Sequence, residues 1–110
     1  MALPEWLMIV NVDIDPSIKD EWDHWYDTVH LPEIVECPGF VRATRYKSPT
    51  VDDDGRIYQT TIYELDNPNA PTTPECLAVR GVGPFGDTAK AKARVMKRHC
   101  VYEKSDIKSK

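Results

Sequence analysis

Cysteine is scarce in this chain and poorly placed for chemistry: Cys37, Cys76 and Cys100 are odd in number, far apart and without a CxxC pair. That pattern excludes a disulfide framework and a zinc knuckle, and leaves small buried hydrophobes as the expected role. Long apolar runs are missing too. The longest, Leu7-Met8-Ile9-Val10, falls far short of the ~20 residues that a membrane-spanning helix needs, so no membrane partner is expected. The opening MALPEWLMIV has no basic stretch, long apolar run or small-residue cleavage site, unlike a secretory leader, and a cytoplasmic location is expected. Positive charge is in the minority, with 14 Lys and Arg against 18 Asp and Glu for a net charge of −4. Apart from KAKARVMKRH at 90–99 the basic residues form no stripe, so nucleic acid is not an expected partner. No GxSxG, HExxH or paired-Cys motif occurs, which removes the familiar hydrolase and metalloenzyme signatures, and no metal is expected.

What is present suits one globular domain, 1–110, able to bury roughly two thirds of the surface its unfolded chain exposes, with SDIKSK at 105–110 as a frayed tail. Residues Trp6 to Ile14 alternate as a strand buried throughout on one face. DPS ends it. Ser17 followed by Asp20 reads as a capping pair for a helix from about Ile18 to about Leu31, where Pro32 breaks or kinks it, with a further turn through Glu36 as the alternative. Phe40 to Lys47 and Ile57 to Leu65 form a hairpin, with Phe40, Arg42, Thr44 and Tyr46 sharing a face. A proline-rich loop follows. Glycines and prolines in CLAVRGVGPFGDTAKAKA then allow only a short or broken second helix that resumes near Asp87, before a last strand at 94–104. Strand, helix, strand, strand, helix, strand is the α+β, ferredoxin-like βαββαβ order, with both helices on one face of a four-stranded antiparallel sheet. An open face rich in apolar and aromatic residues calls for a cover, and a second copy of the chain, giving a homodimer, is the expected one.

Chemistry concentrates in WDHWYDTVHLPEI at 22–34. At ~100° per residue, Ile18, Trp22, Trp25 and Val29 form the core stripe, while Tyr26 and His30 stack on its flank, with Glu33 beyond them if the helix continues. Asp23 and Asp27 continue toward solvent. His30 is the first candidate for acid/base work because imidazole titrates near neutrality, and Tyr26 one turn earlier can orient a substrate oxygen. The competing role for His30 is packing at the core margin with a hydrogen bond to Asp27. His24 lies too far round the helix to share a metal with His30. Trp22 and Trp25 serve the core, or an aromatic wall for a flat aromatic substrate. Arg42 and Tyr46 offer either a carboxylate clamp or a cross-strand pair. His99 on the last strand is a second acid or base if it faces the cleft. GVGPFG, carrying Phe85, lacks a P-loop's Lys-Ser/Thr and is expected to shape a pocket wall.

The stretch HWYDTVHLPEIVECPGFVRATRY, with Trp25-Tyr26-Asp27, His30-Leu31-Pro32, Pro38-Gly39-Phe40 and the later RGVGPFGD, resembles the dimeric α/β-barrel superfamily, in its EthD-like and stress-responsive branch. The resemblance spans about Trp6 to Tyr102. It implies a substrate cleft between helices and sheet, His, Tyr or Asp as acid and base, and no organic cofactor. Related sequences often carry an acidic residue directly before the helix histidine, where this chain has Val29. The resemblance implies a cofactor-free lyase, isomerase or cyclase acting on an aromatic or polyketide-like small molecule, with His30, Tyr26 and His99 as catalytic residues. Trp22, Trp25, Tyr46, Arg42, Glu33 and Phe85 are the candidate substrate-binding residues. A monooxygenase of quinol-like substrates and a non-catalytic dimeric ligand-binding or stress-associated protein are the alternatives.

Overall fold

A computed structural model describes residues 3–105. All but Ser105 of the tail expected to fray lies outside the described residues. Four strands, β1 (Trp6–Ile14), β2 (Phe40–Lys47), β3 (Ile57–Leu65) and β4 (Ala89–Lys97), make one antiparallel sheet in the order β2-β3-β1-β4. Helices α1 (Lys19–Trp25), α2 (Leu31–Val35) and α3 (Pro74–Val79) complete the ferredoxin-like α+β arrangement. Alternation decides the faces. Met8, Val12 and Ile14 of β1 and Gln59, Thr61, Tyr63 and Leu65 of β3 are buried beneath the helices, while Asn11 and Tyr58 on the opposite face are exposed. No described helix is long and apolar enough to cross a membrane.

The first helical path differs from the expected one in three ways. Its start is capped by Asp15, whose side chain accepts from the Ser17 N–H at 2.8 Å, and not by Ser17. It also does not stop at Leu31 but continues toward Glu36, the alternative left open by the sequence. Between α1 and α2, Tyr26–His30 form a π-helical turn in which the Leu31 N–H reaches the Tyr26 carbonyl five residues back, and the path runs on through Val35. Proline at 32 has no N–H and would collide with the carbonyl four residues before it in a regular helix, so a widened turn just ahead of it relieves both problems. The third difference is a change of register. One extra residue in the turn brings His30 into the position where an unbroken helix would put Val29, and Val29 is 42% exposed while His30 is buried.

Two further differences lie in the sheet. A bulge at Val41 lets Phe40 oppose Leu65 while Arg42 opposes Glu64, so Phe40 turns to the helix side and packs against Tyr63, apart from Arg42, Thr44 and Tyr46. The second helix does not resume near Asp87. Instead a short 3₁₀ turn at Gly83–Phe85 leads into β4 at Ala89, five residues before the expected start of the last strand, and that strand ends at Lys97. Ala89, Ala91 and Ala93 alternate with Lys90, Lys92 and Arg94. Alanine and lysine favour helix when isolated, but the ladder to β1 overrides that preference here. Cys37 and Cys76 are buried as expected, whereas Cys100, beyond β4, is exposed.

Candidate active site

The π turn organises the site. Trp22, Tyr26, His30 and Ile34 are all buried, at a strict spacing of four residues. A regular helix would carry each member about 40° further round than the last, so after three steps the row would leave the core. Widening the middle turn cancels that drift and points all four side chains at the sheet.

Between this row and the sheet lies a partly open hollow of about 280 Å³, lined by Trp22, Tyr26 and His30 from the helix and by Val12, Tyr63 and Ala91 from the strands, among others. It exists because α3 is only six residues long and ends at Arg80 and Gly81, which leaves the sheet beside β4 uncovered where Ala91 and Ala93 supply little bulk. Arg80, Gly81 and Val82 form the rim, and Gly81 takes a φ of 110° that favours glycine.

His30 is fixed by its neighbours. The Trp25 ring stacks on it at 4.7 Å and 20°, and Tyr26 meets it edge-on at 4.9 Å. Burial lowers its pKa from 6.5 to about 4, so the imidazole is neutral at ordinary pH. Its Nδ1 is sealed and without a hydrogen-bond partner, whereas Nε2 is not sealed and the ring lines the hollow. An orphaned N–H costs more than an orphaned lone pair, so the resting proton belongs on Nε2, where His30 can donate to something in the hollow. The expected alternative of a bond to Asp27 is not formed, because Asp27 pairs with Arg45.

A second donor comes from a chain of hydroxyls. Thr61 Oγ1 donates to the Tyr26 oxygen at 2.9 Å, and the Tyr26 and Tyr63 oxygens are 3.1 Å apart. The two phenols share one hydrogen bond, so with Thr61 donating to Tyr26 one of their two protons is left over, and both rings line the hollow. Burial, reinforced by Tyr26, pushes the Tyr63 pKa well above the ordinary phenol value, so it stays protonated. Such chains polarise each member in turn.

Arg45 supports this group from the side. Its guanidinium lies 4.5 Å above the centre of the Tyr26 ring, bonds Gln59 Oε1 at 2.5 Å, and pairs with Asp23 at 3.1 Å and Asp27 at 2.5 Å. Gln59 Oε1 also accepts from Trp22 Nε1 at 2.9 Å, which ties the first residue of the row to β3. Asp23, expected to face solvent, is thus held by Arg45 and by Lys47, whose hydrogen bonds keep its carboxyl below the usual range despite partial burial.

Of the residues singled out from the sequence, His30, Tyr26 and Trp22 line the hollow, Trp25 braces His30, and Phe85 packs behind both tryptophans at 5.4 and 5.6 Å without lining it. The other four lie elsewhere. Arg42 and Tyr46 are on the opposite face of the sheet, Arg42 paired with Glu64 at 2.5 Å and Tyr46 60% exposed. Glu33 is exposed on the outer side of α2, and His99 lies exposed past the end of β4, so it is not a strand residue facing the cleft. The sequence reading missed Tyr63 and Arg80 as wall residues. Tyr63 carries a usable signal, since Ile57, Gln59, Thr61, Tyr63 and Leu65 form one alternating set on a central strand, opposite the helix. Arg80 carries none. Among the described residues no group of three His, Cys, Asp or Glu could hold a metal ion.

The chain is thus a ferredoxin-like sheet with a hollow under its first helix. Solved structures agree on the fold. HapK from Hahella chejuensis is 14% identical with a TM-score of 0.63, covering 89% of this chain and 96% of its own. An ethyl tert-butyl ether D (EthD) family protein from Bacillus halodurans is 17% identical with a TM-score of 0.60, covering 86% and 99%. SnoaB, a cofactor-independent oxygenase from Streptomyces nogalater, is 14% identical with a TM-score of 0.57, covering 89% and 97%. Comparison with curated protein sequences gives no match. The chain belongs to the family described as a domain of unknown function (DUF4286), whose model matches residues 6–73. That match covers the helical row and the hairpin, and stops short of Arg80 and β4.

Proposed function

We propose that this protein is a small cofactor-free enzyme that uses acid/base chemistry on an aromatic or polyketide-like molecule, of isomerase, lyase or cyclase type. One observation carries the reading: a neutral imidazole, His30, and the hydrogen-bonded phenols Tyr26 and Tyr63 line the same largely apolar hollow, where Nε2–H and one phenol O–H can serve as donors. Donors fixed in a water-poor site stabilise an oxygen that becomes negative during reaction, and a lowered imidazole pKa keeps His30 a neutral donor, as in enolising enzymes. Among the described residues no Asp or Glu lines the hollow. The site therefore suits substrates acidic enough to lose a proton to water once their oxyanion is held, such as phenols, 1,3-dicarbonyls and ketones with a benzylic α-carbon. Val29, where relatives often have a carboxylate, agrees with this. Size fits as well, because 280 Å³ is nearly twice the ~150 Å³ of a cavity that takes up benzene.

The test is solvent deuterium exchange at the α-carbon of 2-tetralone, followed by proton NMR. Exchange faster than the buffer rate is expected, with His30→Gln and Tyr63→Phe each about 100-fold slower than wild type. Wild-type exchange at the buffer rate, or full activity in both folded variants, defeats the assignment. Oxygenation of a quinol-like substrate is the second reading, favoured by the fold shared with SnoaB. The same donors would hold the phenolate that reacts with O₂. Oxygen uptake with 1,4-dihydroxynaphthalene separates the two.

A homodimer completes the proposal. Leu7, Ile9, Ile62 and Met96 make an apolar strip on the open face of the sheet, flanked by the Arg42–Glu64 pair, and a second copy is the natural cover.

A further inference from the structure

We infer that the hollow selects aromatic acids in their ionised form, with the carboxylate held at the rim by Arg80 and the ring system running inward toward His30 and Tyr63. The inference rests on the enzymatic reading above only in where the reacting end lies. Arg80 is the one charged side chain that lines the hollow, and none of the described carboxylates pairs with it. Among the described residues its hydrogen-bond partner is the Pro71 carbonyl, to which Nη1 donates at 3.0 Å. That bond anchors one side of the guanidinium to the segment before α3. Nε and Nη2, which make up the flat edge able to bind a carboxylate through two parallel hydrogen bonds, have no acceptor among the described residues.

The surroundings sharpen the selection. Val10, Val12, Ala91 and Ala93 wall the space inward of Arg80, so a ligand that is charged throughout would leave its charge unpaired against aliphatic carbon. A neutral ligand leaves the guanidinium edge unused. A ligand with one anionic end and a flat apolar body satisfies both. The net charge of −4 repels small anions from the molecule as a whole, so the local cation, and not the overall field, must supply the attraction. With the acid at the rim and the apolar body inward, the order of groups in the substrate is carboxylate, apolar body, then the oxygen that reacts beside His30 and the tyrosine pair.

Calorimetric titration of the full chain with 2-naphthoate and with 2-naphthamide tests this without any turnover. The expected result is about 10-fold or more tighter binding of the carboxylate than of the amide in wild type. Arg80→Gln should remove that preference while leaving the amide affinity unchanged, and Arg80→Lys should restore only part of it. Arg42→Gln, on the other face of the sheet, should change nothing. Equal binding of the two probes to wild type, or a preference that survives Arg80→Gln, overturns the inference and leaves an aromatic-binding site intact. Failure of both probes to bind overturns the inference, whereas the deuterium-exchange assay decides the proposed function separately.

Discussion

Gly83→Ala should be among the most damaging single-methyl additions in the molecule, and its cost can be divided into two parts. Gly83 sits in the 3₁₀ turn after α3 with a φ of 55°, and a Cβ built there would lie 2.4 Å from Cζ2 of Trp25. The left-handed backbone alone costs an L-residue about 1–2 kcal/mol. The collision adds about 1–3 kcal/mol, because Trp25 cannot swing aside: Trp22, Tyr26, Phe85 and His30 crowd its ring with centroids 4.7 to 6.1 Å away. Gly55 separates the two parts, since its φ of 79° carries the strain but nothing lies within 4 Å of a built Cβ. The entropy that alanine removes from the unfolded chain is common to both variants and cancels. Thermal unfolding followed by near-ultraviolet circular dichroism should place Gly55→Ala about 4–8 °C below wild type and Gly83→Ala about 8–20 °C below it. The tryptophan signal of folded Gly83→Ala should change as well. Equal losses for the two variants would refute the claim that Trp25 is wedged between this turn and His30.

Arg45→Met should cost about 3 kcal/mol in urea unfolding, since it removes a guanidinium only 9% exposed that pairs with Asp23 and is one of two donors to Gln59, whereas Lys47→Met at the rim should cost under about 1 kcal/mol. Tyr26→Phe, at the centre of the hydroxyl chain, should cost about 1–3 kcal/mol and more than Tyr63→Phe at its end, because it removes both bonds at once. Acid should weaken the fold through His30. With a folded pKa of about 4 against 6.5 unfolded, the unfolded chain takes up the proton first, so this contribution is complete above 6.5 and is lost as pH falls toward 4. His30→Gln should lose less stability across that window than wild type, and an unchanged slope would count against a buried, neutral imidazole.

The strand borders of β1, β2 and β3 were legible from alternation, as was the presence of Trp22, Tyr26 and His30 on adjoining helical faces. What hid the rest was local irregularity. Nothing in YDTVHLP announces a π turn rather than a kink, yet that turn exchanges Val29 and His30 and moves Tyr26 from the flank to the centre of the buried row. The bulge at Val41 likewise inverts Phe40 without touching the alternation that follows. At β4 composition misled in a different way, since AKAKARVMK reads by propensity as a continuing helix, and the later strand assumed in its place carried His99 toward a cleft it does not reach. Arg45 could be placed on a strand but not against Tyr26, because its partners Asp23, Asp27 and Gln59 come from two other elements. Loop residues such as Arg80 acquire their position only from where α3 stops, and six residues of helix ended by Gly81 leave no periodic trace.

Nitrogen NMR of His30 in the folded chain, assigned by comparison with His30→Gln, tests the site most directly. The expected spectrum has the proton on Nε2 and Nδ1 bare, unchanged as pH falls from neutral until about 4. A proton resting on Nδ1, or a titration midpoint near 6.5, would contradict a neutral donor directed into the hollow.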